Sequence, residues 1–455
     1  MKNRFWKKVI VAVTAMCMIA SVTEAAGVDV YAASPAKKAV KAAEKDSKDT
    51  AKGVKMDDAE SKLCGDWTYM CEESVYFYGD EVDDTYFGMY ELDEDYDNIG
   101  MCIYQDGDTL RADYIYVAME SNFRMYGVPL EITKGAMYDG CANEEWYAQL
   151  NERWKDTTER TLTLVGENVL EYRTVFTAED DDYYSYATTY TFTRKGSKEE
   201  KDKDAFRYLN TVTVSSAEEL LEAVADRTKI VLVDGVYDFS DIDEDSIKND
   251  KVSAEYPGEV AIHDVSQLCI TAAEDADVLL CTDDPYARVF SIIDCNSVFL
   301  SNLTMGHDVE PGYCSGSVLY LKSSSIGSID NCDLYGCGTY GLEMLNASDF
   351  TINQSNIHDC TYGLVDMRSC YSVEYNDCSF TDSEEFAMFS IYDCYTVHIN
   401  DSLITRNYSE PPYSAFIEAE ESGGVVFTGC TFKDNTYDEF YRGEVEIVDC
   451  SVDDN

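Results

Sequence analysis

The chain carries four histidines, His263, His307, His358 and His398, all in its second half. Imidazole ionises near neutrality, so a histidine beside carboxylates is suited to general acid–base work or to holding a cation. Two places offer that pairing. Gly306-His307-Asp308 is followed by Glu310 in an unusually long stretch that runs to Gly316, and His358-Asp359 comes about fifty residues later, expected on the same side of the fold. The candidate catalytic residues are therefore His307, Asp308, Glu310, His358 and Asp359. A hydrogen-bonded turn in which histidine caps backbone groups accounts for the same residues without any reaction. His398 falls at an outward position of an alternating strand and reads as solvated.

Cysteine is the second chemistry-bearing type, with 17 in the chain. No C-x-x-C spacing occurs, so a structural zinc site is not indicated. Acidic runs such as Asp180-Asp181-Asp182, Glu384-Glu385 and Glu420-Glu421 lack the spacing of a calcium loop. They offer at most a weak hold on Ca²⁺, so no cofactor is assigned and a solubilising surface is the simpler role.

The elements that must position these residues come from a repeat. Val373-x-Tyr375-x-x-Cys378-x-Phe380 recurs from Val397, Val425 and Val445, and upstream from Phe350, Gly327 and Val298. The reference column is Leu303, Cys332, Ser355, Cys378, Ser402, Cys430 and Cys450, with intervals of 29, 23, 23, 24, 28 and 20 residues. A second short strand precedes several of the copies. One such coil cannot bury its own inward residues, whereas coils stacked ~4.8 Å apart cover them and pair every backbone group. Cysteines then become vertical neighbours: Cys370 with Cys394, Cys337 with Cys360, and Cys430 with Cys450. Rung spacing lies inside the Cα window for a disulfide, so stacked thiols and bonded pairs both stay open.

This pattern resembles the right-handed parallel β-helix of the pectin-lyase-like superfamily, over about residues 208 to 455 and about eight coils. The entry fits as well: Thr211 to Ser215 as a strand, Ala217 to Ala225 as an amphipathic helix plugging the open end, then the run Lys229 to Tyr237. The resemblance brings two enzyme templates. Uronic-acid lyases of this fold use an Arg or Lys base, often with Ca²⁺, but residues 208 to 455 hold 10 Lys and Arg against 47 Asp and Glu. Arg288, Lys322, Arg368 and Arg406 form no evident cluster, and so acidic a field repels polyuronate. Polygalacturonase-like hydrolases use several carboxylates with a Gly-His-Gly and an Arg-x-Lys. Gly306-His307-Asp308 is the nearest approach, Asp283-Asp284 falls out of register, and no Arg-x-Lys is present.

The rest of the chain divides by texture. Residues 1–33 combine a basic start (Lys2, Arg4, Lys7, Lys8), an apolar run from Val9 to Val22 and a small-residue exit, the pattern of a bacterial secretory signal. No later segment reaches ~18 uninterrupted apolar residues, so no transmembrane segment is expected after its removal. Residues 34–60 form a Lys/Ala-rich spacer and 196–207 a charged linker. Between them, 61–195 read as short antiparallel strands around a helix from Asn143 to Trp154. Gly65-Asp66-Trp67, with Arg194 ending the last strand, resembles the G-x-W opening of lipocalin-like barrels, which place an Arg over that Trp.

The expected fold class is thus all-β, with an N-terminal antiparallel lipocalin-like barrel and a C-terminal right-handed parallel β-helix. The formal charge of −53 excludes nucleic acid as a default partner. The leading expectation is a secreted or cell-surface protein whose β-helix engages an extracellular glycan without catalysis. A polysaccharide hydrolase or lyase, and a structural or adhesin-like spacer, are the alternatives.

Overall fold

The computed structural model describes residues 62–78, 81–89, 100–106, 109–118, 121–133, 136–139, 158–165, 167–176, 184–256, 258–309, 315–336, 338–410 and 414–453. The signal, the 34–60 spacer, the 143–154 helix, Asp180-Asp181-Asp182, Glu310 and Cys337 lie outside them. Two compact units divide at Phe206/Arg207.

The first unit is an antiparallel sheet, A, that closes on itself. Strand Gly65–Tyr78 pairs along one edge first with Gly100–Asp106 and then with the hairpin strand Glu81–Met89. Its other edge pairs with Tyr184–Arg194 and completes the ring. Strands Ser121–Thr133 and Ala136–Asp139 were not expected, because Gly127 and Pro129 mask the alternation. Within the charged linker, Lys198–Lys201 form a helix capped by Ser197, and Asn168 Nδ2 of the barrel donates to Glu199 Oε2 (3.1 Å).

The second unit is a solenoid of three sheets, parallel throughout except where Val252–Tyr256 pairs antiparallel with Glu259–His263 at the start of one of them. One sheet, B, takes the Val-x-Tyr half of each repeat, as in Tyr371–Asn376. A second, C, takes the half after the reference column, as in Ser379–Thr381. The strand that precedes each copy, as in Gly363–Arg368, builds the third sheet, D. Sheet B holds ten strands, sheet C nine and sheet D eight in parallel register, so eight coils carry all three strands, as expected, preceded by a two-strand coil, Thr228–Leu232 with Gly235–Asp238, and an entry strand, Asn210–Val214. The early coils carry long turns that hide their period. The capping helix spans Ala217–Glu222 and buries Ala217, Leu220 and Leu221.

Register follows the columns. Val373 pairs with Val397 and Tyr375 with Ile399, and all four are buried. The turn before each reference residue enters the left-handed region at Asn302 (58°), Asn331 (50°), Asp377 (53°) and Asp401 (49°), where Asn and Asp cost least. The reference side chains then satisfy backbone groups of the neighbouring coil. Cys378 N–H donates to Ser402 Oγ (3.1 Å) and Cys430 N–H to Cys450 Sγ (3.3 Å). Cys370 N–H donates to Cys394 Sγ (3.3 Å) in the turn between sheets D and B. Cys370, Cys378, Cys394, Cys430 and Cys450 are free thiols, and in these ladders they do the work of serine. At the turn after sheet C, asparagine takes over: Ser383 N–H donates to Asn407 Oδ1 (3.0 Å), and Asn407 N–H to Asn435 Oδ1 (3.1 Å).

Candidate functional site

Sheet C presents one outward column in which Gly306 pairs with Tyr335 and Tyr335 with His358. His307 is one residue out of phase with His358. Side chains alternate along a strand, so this single offset sends the two imidazoles to opposite faces. The expectation that they share a side is therefore corrected.

His307 is buried inside the coil. Its Nε2–H donates to the Ala287 carbonyl (2.8 Å), and Nδ1 is buried without a partner. Burial pushes its pKa down, so the ring is neutral. Asp308, the next residue, is exposed. His307 and Asp308 thus do not form an acid–base pair, and Glu310 lies outside the described residues.

His358 is half-buried and points outward. Its Nε2 donates to Asp333 Oδ1 (3.1 Å) and its Nδ1 to Asp359 Oδ2 (2.5 Å). The Asp333 hydrogen bond, opposed by partial burial, raises its pKa to about 9. The same contact holds the Asp333 carboxyl below its ordinary value. The ring stacks on Tyr335, with centroids 5.9 Å apart and planes 18° from parallel. Tyr335 in turn lies over Gly306, where a Cβ would come within 2.6 Å of the phenol ring. His358 and Asp359 are thus brought together, and Asp333 and Tyr335 join them.

Asp333 also lines a concave region of about 540 Å³ at the turn between sheets B and C. Its walls include Glu274, Asp275, Asp277, Asn302 and Asn331, and Asn331 Nδ2 donates to Asn302 Oδ1 (2.8 Å). The surface is one of carboxylates and amides beside a flat ring stack. Among the described residues no group of three or more His, Cys, Asp or Glu is arranged to hold a metal ion.

Of the other histidines, His263 Nε2 is 2.5 Å from Ser253 Oγ. His398 is outward and half-exposed, with Nδ1 3.8 Å from Glu374 Oε1.

The sequence reading missed a polar column on the outward face of sheet D. Tyr320, Glu343, Asp366, Ser390 and Glu418 stand on successive rungs. Arg288 bonds Glu259 (3.1 Å) and approaches Glu343 (3.4 Å), with its guanidinium 4.1 Å from the Tyr320 ring centroid. Asp366 accepts from Ser390 Oγ (2.7 Å) and pairs with Arg368 (3.1 Å). Burial raises the Asp366 pKa, against the pull of Ser390 and Arg368. Arg288 and Arg368 thus pair with different carboxylates of this column. The signal was present: Glu343, Asp366 and Ser390 are spaced at one coil length.

Residues 291–455 match the family model described as right handed beta helix region. A comparison with curated proteins returns no match. Among solved structures the chain is similar to a pectate lyase from Bacillus sp. N165 in complex with trigalacturonate, at 8% identity and TM-score 0.37, covering 54% of this chain and 82% of that one. It is also similar to a pectate lyase from Paenibacillus sp. 0602, at 10% identity and TM-score 0.36, covering 54% and 78%. A Streptococcus pneumoniae surface protein and adhesin aligns at 10% identity and TM-score 0.22, covering 56% and 91%. The family description and the stacked coils agree on the fold: residues 291–455 are right-handed parallel β-helix.

Proposed function

We propose that the β-helix engages a glycan without catalysis, on the sheet C face around Asp333, Tyr335 and His358. The observation that carries this reading is the state of His358. Both ring nitrogens face carboxylates, so the ring is a held imidazolium with no nitrogen left to take a proton from a substrate. His307 is sealed in the core. What the site does offer is what a neutral sugar takes: carboxylates and amides for its hydroxyls beside a flat ring face. The test is a glycan array with the full chain. Binding that falls about tenfold in Asp333→Asn or Tyr335→Ala and persists in His307→Ala supports the reading, and binding equal in all variants overturns it.

The sheet D column favours a second reading, a polysaccharide hydrolase. Glu343 and Asp366 are carboxylates on adjacent rungs with unlike environments, one paired to Arg288 and one buried. Reducing-sugar release that vanishes in Asp366→Asn and Glu343→Gln would establish it. With neither binding nor release, the structural or adhesin-like role is left.

Export is part of the proposal and rests on the basic, apolar and small-residue order of residues 1–33. Among the described residues no helix is long and apolar enough to cross a membrane. We read the N-terminal unit as lipocalin-like because Trp67 sits buried at its floor beneath Arg194, whose guanidinium is 4.3 Å from the ring centroid.

A further inference from the structure

Each coil hands side chains to the backbone of its neighbour, and in two of the described ladders sulfur stands over sulfur: Cys370 with Cys394, and Cys430 with Cys450. Elsewhere a thiol meets a hydroxyl, as Cys332 meets Ser355 and Cys378 meets Ser402, and no bond between sulfurs can form. The two sulfur pairs differ in access. Cys370 and Cys394 are 1% and 0% exposed, sealed within the column. Cys430 is sealed as well, but Cys450 is half-exposed.

That access follows from the coil that carries Cys450. Its strands, Tyr441–Gly443, Val445–Val448 and Ser451–Asp453, stand at the ends of sheets D, B and C and are paired along one edge. Val445 and Ile447 are only partly buried, where Val425 and Phe427 one coil earlier are fully so, and Val452 is 49% exposed. The coil is therefore held less firmly than those behind it.

Register puts the two cysteines within bonding reach. Thr428 pairs with Val448 and Thr431 with Ser451, so the intervening Cys430 and Cys450 lie one rung apart. A rung of ~4.8 Å falls inside the Cα separation that a disulfide spans. The Cys430 N–H already donates to Cys450 Sγ (3.3 Å). Cys430 Sγ faces the Ile399 carbonyl (3.3 Å), and a turn about its Cα–Cβ bond redirects it to Cys450. Burial, with the Cys450 thiol beside it, pushes Cys430 up to about 12, so Cys430 does not start the exchange.

We propose that Cys430 and Cys450 are a site of oxidation, a clasp whose disulfide ties the 441–453 coil to the coil behind it. Exchange begins at Cys450. Its thiolate attacks one sulfur of a small-molecule disulfide, whose S–S bond breaks to release one thiolate and leave a mixed disulfide on Cys450. Cys430 gives up its proton and attacks Cys450 Sγ, and the second small thiolate leaves. Two protein thiols are oxidised, and the small disulfide is reduced to two thiols that take up the two protons. The new bond joins residues 20 apart in the chain and restricts opening of the coil between them. The site is independent of the glycan reading of the solenoid.

The test is incubation of the folded full chain with glutathione disulfide at about pH 8, then alkylation of the remaining thiols and peptide mapping by mass spectrometry. A linked Cys430–Cys450 peptide is expected, with Cys370 and Cys394 unlinked. Cys430→Ser should stop at glutathione on Cys450, and Cys450→Ser should leave Cys430 reduced, the hydroxyl keeping the ladder as Ser402 does. Hydrogen exchange over residues 441–453 should slow about tenfold or more once the bond has formed. No linked peptide, a glutathione adduct that persists on wild-type Cys450, an equal yield of Cys370–Cys394 linkage, or exchange unaltered by the bond would overturn the proposal. Circular dichroism checks the fold of each variant, and should one not fold, the wild-type map and exchange rates decide alone.

Discussion

His358 Nε2 stands 3.1 Å from Asp333 Oδ1 on the preceding coil, twenty-five residues earlier in the chain. The contact exists only because one turn of the solenoid brings those residues to adjacent rungs of sheet C. It converts a histidine that looked like an acid–base catalyst into a fixed cation.

The pair has a pH signature. The folded pKa of His358, about 9, lies above the unfolded value of about 6.5. Its stabilisation is therefore full below about pH 6.5 and is lost as pH rises through 9. For Asp333, held low, the contribution is present above the unfolded value and is lost as pH falls through the folded one. In a half-buried setting the pair contributes about 1–2 kcal/mol. Imidazole resonances followed by NMR should show His358 titrating well above neutrality and falling toward 6.5 in Asp333→Asn; an ordinary wild-type titration contradicts the geometry.

The cysteine ladder predicts an asymmetry between two small substitutions. Cys394 Sγ accepts the Cys370 N–H, as Ser422 Oγ accepts that of Cys394 one coil later. Cys394→Ser keeps an acceptor and should cost under about 1 kcal/mol. Cys394→Val orphans a buried N–H and should cost about 1–3 kcal/mol. Denaturant unfolding of both variants measures the difference, and equal costs would show that the thiol is mere filler.

Two glycines separate site from scaffold. At Gly306 an added Cβ meets the Tyr335 ring at 2.6 Å, and a side chain can swing away. At Gly316 it meets the Ala287 carbonyl oxygen at 2.0 Å, which is backbone. Gly306→Ala should lower glycan binding about fivefold or more by tilting Tyr335 off His358, with stability changed by less than about 1 kcal/mol. Gly316→Ala should destabilise by about 2 kcal/mol or more. Thermal melts beside binding curves test both.

Asp366 yields a prediction with the opposite sense to Asp333. Its pKa is raised, chiefly by burial, so its contribution is present at low pH and declines as pH rises through the folded value. Asp366→Asn removes that decline and should leave stability at pH 7 unchanged or higher by about 1 kcal/mol. A large loss at pH 7 would mean that the Arg368 pair outweighs burial.

The solenoid was legible in the chain because its signal is one-dimensional. Inward residues must be apolar on every coil, turns must accept left-handed backbone, and both rules repeat at one coil length. The period placed Val373 over Val397 and Cys370 over Cys394, and Trp67 under Arg194 followed from a three-residue motif and a strand end. The candidate site was less legible. His307 and His358 were grouped by their distance from a reference column, but facing depends on parity, and a single residue of offset reversed it.

Sequence alone determined the architecture and its excess of acid, since burial of a repeating apolar column leaves few other folds. Tertiary structure decided which polar residues meet. Glu343 with Arg288 and Asp333 with His358 are both distant along the chain, and each pairing hangs on register or turn length. Those features shift a side chain by one rung or one face, and an interaction that decays within a few ångströms is made or lost by that step.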